Sequence, residues 1–204
     1  MSETDFWEIE RGLYKEGYTA VCGIDEAGRG PLAGPVCSGA VILPPELEIP
    51  GLNDSKKLTD KKRRALYDEI TRQAVAWAVC MVDEKVIDEI NILQATFRAM
   101  AGALAGLKTV PDFVLVDGNR DPELGIATQT VVKGDARSAN VAAASILAKV
   151  TRDRFMEQQA ERYPQYGFEI HKGYGTKAHY AALREYGPCP IHRQSFLRSF
   201  YGTK

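Results

Sequence analysis

Apolar positions recur along this chain with two spacings, and the switches between them predict its elements. Phe6, Ile9 and Leu13 share one helical face, with Trp7 and Tyr14 beside it, and Gly17 predicts the stop. Tyr18 to Ile24 is apolar and reads as a strand, as does Pro35 to Leu43, stopped by Pro44-Pro45. Helical spacing returns over Thr59 to Ala74, with Thr59 as N-cap and Leu66 and Ile70 turned inward. The continuous apolar run Ala74 to Val82 predicts a buried strand. Val86, Ile90, Leu93, Phe97, Met100 and Leu104 predict a helix over 83–107. Phe113 to Val116 and Ile126 to Val132 are further short strands. Ser138 to Tyr163 is a long helix, apolar first and charged later, closed by Pro164. A short helix around Lys177 to Tyr186 precedes a proline-broken tail. Helices alternating with strands in this order give an α/β fold with a mixed sheet.

Composition narrows the class. At 204 residues, 45% hydrophobic and 26% charged, the chain has the make-up of one ordinary globular domain, with or without a short appended unit, not of a disordered or fibrous protein. Cys22, Cys37, Cys80 and Cys189 show no paired spacing, and His171, His179 and His192 are not spaced as zinc ligands. Buried reduced thiols are the expectation. The acidic N-terminus lacks the apolar core of a signal peptide, and no apolar run is long enough to span a bilayer. A cytoplasmic protein without membrane contact is therefore expected.

Net charge is −1, but unevenly spread. Residues 1–132 carry 14 basic and 21 acidic side chains; residues 133–204 carry 12 and 6. A basic C-terminal third is compatible with a polyanionic partner and equally with an ordinary solvated surface.

The acids at element ends are more informative. Asp25 and Glu26 follow one apolar strand, Asp117 follows another, and Asp135 lies between the last strand and the long helix. Ligands of open α/β sheets gather where strand ends meet helix starts, and converging carboxylates there suit a hard divalent cation. Singly, each has a plainer reading: Asp117-Gly118 as a turn, Asp135 as a helix cap, Asp25-Glu26 as a solvated strand end. Neighbours on a strand face opposite ways. Asp25 and Glu26 thus share a site only if the strand ends between them or one acts through its main chain. The nearby corner Gly28-Arg29-Gly30-Pro31-Leu32-Ala33-Gly34 is not a dinucleotide fingerprint, because its third glycine is one residue late. It offers close backbone approach, N–H donors and Arg29 for a phosphate.

The residues from Gly23 to Val36, GIDEAGRGPLAGPV, resemble the signature of bacterial ribonuclease HII. The resemblance continues in NDSKKL at 53–58, VDG at 116–118, KGD at 133–135 and AASILAKVTRD at 143–153. It ends in HKGYGT at 171–176 and GPCPIHR at 187–193. It covers nearly the whole chain in the family's order. It implies a ribonuclease H-like fold, a mixed five-stranded sheet flanked by helices. Residues 1–163 would form the catalytic body, N-terminal helix included, and 164–204 a helical C-terminal substrate-binding extension.

The same resemblance implies an endonuclease that cuts the RNA strand of RNA–DNA hybrids and incises duplex DNA 5′ of single embedded ribonucleotides. Two metal ions, Mg²⁺ or Mn²⁺, would serve the hydrolysis and leave 3′-hydroxyl and 5′-phosphate ends. Ribonucleotide excision repair and primer removal are the implied roles, and a monomer the implied form. Asp25, Glu26, Asp117 and Asp135 would be the catalytic, metal-binding acids. Gly28, Arg29 and Gly30 would contact the ribonucleotide and its junction with DNA, and Tyr174 would sense the 2′-hydroxyl. Lys56, Ser145, Lys149, Arg152 and Lys172 are further candidates for substrate contact. For Lys149 an acid-pairing role within its helix is as good a reading, and for Tyr174 the plainer reading is a turn-packing aromatic. Another metallonuclease of the same fold, or a binding module without chemistry, are the alternatives.

Overall fold

The computed structural model describes residues 5–202 apart from 54, 56 and 57. Its elements run α1 (Glu8–Lys15), β1 (Val21–Ala27), β2 (Val36–Ile42), α2 (Asp60–Gln73), β3 (Ala76–Val82), α3 (Glu84–Ala105), β4 (Phe113–Asp117), β5 (Thr128–Val131), α4 (Ala139–Arg162), α5 (Phe168–His171), α6 (Lys177–Tyr186) and α7 (Gln194–Tyr201). The five strands form one sheet in the order β3-β2-β1-β4-β5. β1 pairs antiparallel with β2 and parallel with β4; β5 continues the parallel half and β3 the antiparallel half. The mixed sheet expected from the element order is therefore present.

α4 crosses one face of the sheet over β1 and β2, and α3 covers the other over β2 and β3. The close approach of α4 depends on two glycines facing it. A Cβ at Gly23 would stand 2.1 Å from the carbonyl carbon of Asn140, and one at Gly39 2.5 Å from the Ala144 oxygen. The small residues Ala142, Ala143 and Ala144 meet them from the helix side, all buried. Ser138 caps α4, accepting the Val141 N–H, and Thr59 caps α2 through Lys62.

Three features depart from the pattern read in the sequence. β3 is an edge strand, with Trp77 and Met81 about 40% exposed and Trp77 leaning on Tyr67. A continuous apolar run does not distinguish a central strand from an edge, because that depends on which neighbour is absent. α3 breaks at Asn91, which takes φ +69° and recaps the second half by accepting the Leu93 and Gln94 N–H groups. The tail contains two helices, α5 and α7, that the apolar spacing does not predict.

Residues after Pro164 pack on the end of α4 and on the glycine corner. Tyr166, Phe168, Leu183 and Leu197 share one apolar cluster with Leu32, Ala33, Met156 and Ala160.

Candidate active site

Because β1, β4 and β5 run parallel, their C-terminal ends lie along one edge of the sheet. Asp25 and Glu26 lie near the end of β1, Asp117 ends β4, and Asp135 sits in a single turn, Gly134–Ala136, after β5. Three passes of the chain thus deliver all four acids to the same edge. The Asp117 carboxylate accepts the Gly134 N–H at 2.6 Å, tying the end of β4 to the turn that carries Asp135.

β1 does not stop between Asp25 and Glu26. Both remain in register with β2, opposite Gly39 and Ser38. Their side chains accordingly leave opposite faces of the strand. Asp25 shares the α4 face with Gly23. Glu26 opens on the α3 face, lining a small cleft of about 80 Å³ with Arg29, Thr96, Phe97, Met100 and Asp117. Pairing of β1 with β4 ends at Ile24, so the two carboxyls stand just past the parallel pairing, on residues still paired with β2. A much larger hollow, about 630 Å³ beside Trp7 and Leu47, contains none of the four acids.

Asp25 is 5% exposed. Burial, then repulsion from Glu26 and Asp117 and more weakly from Asp135, raises its carboxyl well above the ordinary carboxylate range; one hydrogen bond from the Glu26 N–H, at 2.6 Å, opposes this. Such mutual repulsion is the electrostatic condition that a divalent cation relieves, and carboxylate oxygens are suitable ligands for a hard one. Among the described residues, no three His, Cys, Asp or Glu side chains stand close enough to hold an ion as they are. The residue types and their repulsion fit a cation.

The glycine corner lies beside this edge and is held from within. Arg152, 1% exposed, donates to the carbonyls of Pro35, Ala33 and Lys172 at 2.9–3.0 Å. Arg193, fully buried, donates to those of Gly34, Arg29 and Gly28 at 2.9, 2.9 and 2.6 Å. Gly28 takes φ +95°, and a Cβ there would meet Arg152 Nε at 2.0 Å, so no other residue fits. Arg29 and Gly30 are exposed, and Arg29 Nη1 lies 3.5 Å from Glu26 Oε1. Tyr174, 43% exposed, comes within reach of Gly30: a Cβ on that glycine would sit 3.6 Å from the ring.

The other expected contacts are disposed differently. Arg152 points inward and is engaged by backbone carbonyls, so it does not offer its guanidinium to a phosphate. Ser145 is buried and donates to the Ala142 carbonyl. Lys149 pairs with Asp153 at 2.7 Å within α4, the acid-pairing arrangement. Lys172 pairs with Glu157 at 2.9 Å. Lys56 lies outside the described residues. Sequence reasoning assigns no role to Arg193, although it closes the GPCPIHR block; a buried arginine looks like a surface one in a charge pattern. The three histidines also gather: His179 Nε2 and His192 Nε2 stand 3.0 Å apart, and His171 stacks on His179 beneath the Tyr174 loop.

The family model described as Ribonuclease HII matches residues 22–199, a span that contains all four acids. The chain belongs to the ribonuclease HII family. The ribonuclease HII of Caldicellulosiruptor saccharolyticus is 55% identical over 197 residues, covering 97% of this chain and 96% of that protein. The ribonuclease H2 of Pyrococcus horikoshii superposes with a TM-score of 0.72 at 31% identity, over 87% of this chain and 93% of that one. The ribonuclease HII of Archaeoglobus fulgidus, solved in a complex with PCNA, superposes with a TM-score of 0.73 at 27% identity, over 86% and 94%. The protein is a ribonuclease H, an enzyme of RNA–DNA hybrids, and its fold is ribonuclease H-like. No helix among the described residues is long and apolar enough to cross a membrane.

Proposed function

We propose that the enzyme nicks duplex DNA on the 5′ side of single embedded ribonucleotides, besides cutting the RNA strand of hybrids, with two Mg²⁺ or Mn²⁺ ions held by Asp25, Glu26, Asp117 and Asp135. The observation that carries this reading is a buried Asp25 repelled by three other acids, beside a rigid corner of exposed amides. Bound there, paired divalent cations supply charge neutralisation, an activated water and stabilisation of the leaving oxygen. Asp25 and Asp117, from adjacent parallel strands, would hold the cations at the scissile phosphate. Glu26 and Asp135 would close the cluster from the α3 side and from the turn after β5. Attack at phosphorus breaks the bond to the 3′ oxygen, leaving a 3′-hydroxyl and a 5′-phosphate.

Selectivity for one ribose requires groups that meet its 2′-hydroxyl, the group that separates RNA from DNA at a single position. The amides of the Gly28-Arg29-Gly30 corner and the Tyr174 side chain would supply them. Donors left unpartnered by a deoxyribose cost ~1–3 kcal/mol each, enough for a clear preference. Such chemistry suits excision of misincorporated ribonucleotides and removal of RNA primers in a soluble, monomeric, cytoplasmic enzyme.

The test is a labelled DNA duplex with one ribonucleotide, incubated with Mg²⁺ or Mn²⁺. A single nick 5′ of the ribonucleotide is expected, with the all-DNA duplex uncut. Enzyme that cuts a hybrid yet leaves the single-ribonucleotide duplex whole would refute the finer specificity.

A further inference from the structure

The glycine corner needs a fixed conformation to read one hydroxyl group, and glycines supply none of their own. The fixing comes from Arg193, at the start of α7 and far along the chain. Its guanidinium is fully buried and makes three hydrogen bonds, all to carbonyls of the corner: Gly28, Arg29 and Gly34. Its backbone N–H joins in, donating to Leu32 O at 2.9 Å, and Gly34 N–H returns a bond to Ile191 O at 2.8 Å.

The peptide unit converts this clamp into a direction. Every described peptide bond is trans, so each carbonyl points opposite to the N–H of the next residue. With the carbonyls of Gly28 and Arg29 drawn inward onto Arg193, the N–H groups of Arg29 and Gly30 must point outward. Both residues are exposed at that surface, and Gly30 is the one beside Tyr174. Arg152 clamps Ala33, Pro35 and Lys172 with the same chemistry and packs its side chain against Gly28, but donates no hydrogen bond to either of these two peptides.

We infer that Arg193 is a positioning residue: it aims the Arg29 and Gly30 amides at the substrate ribose and thereby sets the preference for a ribonucleotide. The inference rests on the proposed reading of the corner as the ribose contact. Burial and the nearby Arg152 charge lower the Arg193 guanidinium to about 9, which leaves it charged at neutral pH.

The experiment compares Arg193→Lys with Arg152→Lys. Both keep a positive charge, and both lose the planar fork that spans three carbonyls. Kd is measured in chelator for two duplexes of one sequence, with and without a single ribonucleotide. In Arg193→Lys the ribose preference should fall about tenfold while affinity for the all-DNA duplex stays within about twofold, the mark of lost aim rather than lost fold. Arg152→Lys should keep the preference. An unchanged preference in Arg193→Lys, or an equal loss in both variants, overturns the assignment.

The wild-type enzyme gives a second reading that holds even if a variant fails to fold. The amide resonances of Arg29 and Gly30 should shift with the ribonucleotide duplex and stay put with the all-DNA duplex. Equal response to both overturns the aim assigned to Arg193. A wild-type enzyme with no ribose preference in Kd at all would instead overturn the proposed function, and the two failures are distinct.

Discussion

Two buried carboxyls, Glu10 and Asp25, sit on the same side of the sheet and have opposite surroundings. Glu10, on α1, reaches the start of α4, where Oε1 accepts from Ser138 Oγ at 2.6 Å and from the Asn140 backbone and side-chain nitrogens at 3.3 and 3.2 Å. Asn140 in turn accepts the Leu43 N–H at 2.7 Å, so this carboxyl ties helix to helix and helix to strand. Asp25 has other acids as neighbours and one amide as donor. Burial raises both carboxyls. Around Glu10 the donors, all on Oε1 while the buried Oε2 has none, hold that rise back in part; around Asp25 the repulsion adds to it. A charge surrounded by donors stabilises a fold, whereas a charge surrounded by like charges needs a different reason to be kept.

The largest effect that separates them is catalytic. Asp25→Asn should lower hybrid cleavage by about 10³-fold or more, since it removes a central charge of a proposed metal cluster. Its melting temperature in chelator should be unchanged or higher, because repulsion is relieved. Asp117→Asn and Asp135→Asn should behave alike. Any of the three that lost several degrees in chelator would be a structural acid like Glu10, and the contrast would fail.

Glu10→Ala should reverse the pattern. It strands the Ser138 hydroxyl and the Asn140 amide in a dry interior, at a cost of about 2–3 kcal/mol in chemical denaturation. Cleavage assayed well below the melting temperature should remain within about tenfold of wild type. Inactive but stable protein would mean that Glu10 acts in the site.

Much of this is legible in the sequence, and what escapes it has a common cause. Strand-end acids are visible because a carboxylate directly after an apolar run stands out from a solvated face, and parallel strands bring such ends together. The helix cap at Thr59 is readable because capping is local, whereas α4 is capped by Ser138 and not by Asp135, the cap its plainer reading offered. The edge position of β3, the break at Asn91 and the clamp by Arg193 depend on partners distant in sequence. So does the continuation of β1 through Asp25 and Glu26, which sets them on opposite faces although the sequence allows a stop between them. For Glu10 nothing in the helical pattern of α1 separates a buried acid from a solvated one.

The pH dependence of stability sharpens the contrast further. A raised carboxyl binds its proton more tightly in the folded than in the unfolded chain. Its stabilising contribution is complete below about pH 4, the ordinary carboxylate value, and is lost as pH rises through the folded value. In chelator, the melting temperature of Asp25→Asn minus that of wild type should therefore grow from acid to neutral pH. Saturating Mg²⁺ should shrink or reverse it, since the cation replaces the proton in wild type alone. A difference flat to within about 2 °C, roughly the shift from 1 kcal/mol at this length, would show that Asp25 feels no acid cluster.

The smallest effect concerns Arg29, a cation beside the cluster. If it answered Glu26 as Ser138 and Asn140 answer Glu10, its removal would destabilise the fold appreciably. Its side chain is half exposed and 3.5 Å from Glu26, a geometry in which a pair contributes little because water screens it. Arg29→Ala should shift unfolding by less than about 0.5 kcal/mol. Binding of the single-ribonucleotide duplex should weaken nonetheless, and more so at low salt, where a lost phosphate contact counts most. A stability loss near that of Glu10→Ala would make Arg29 a structural counter-charge, and the acid cluster would then be partly neutralised by the chain itself.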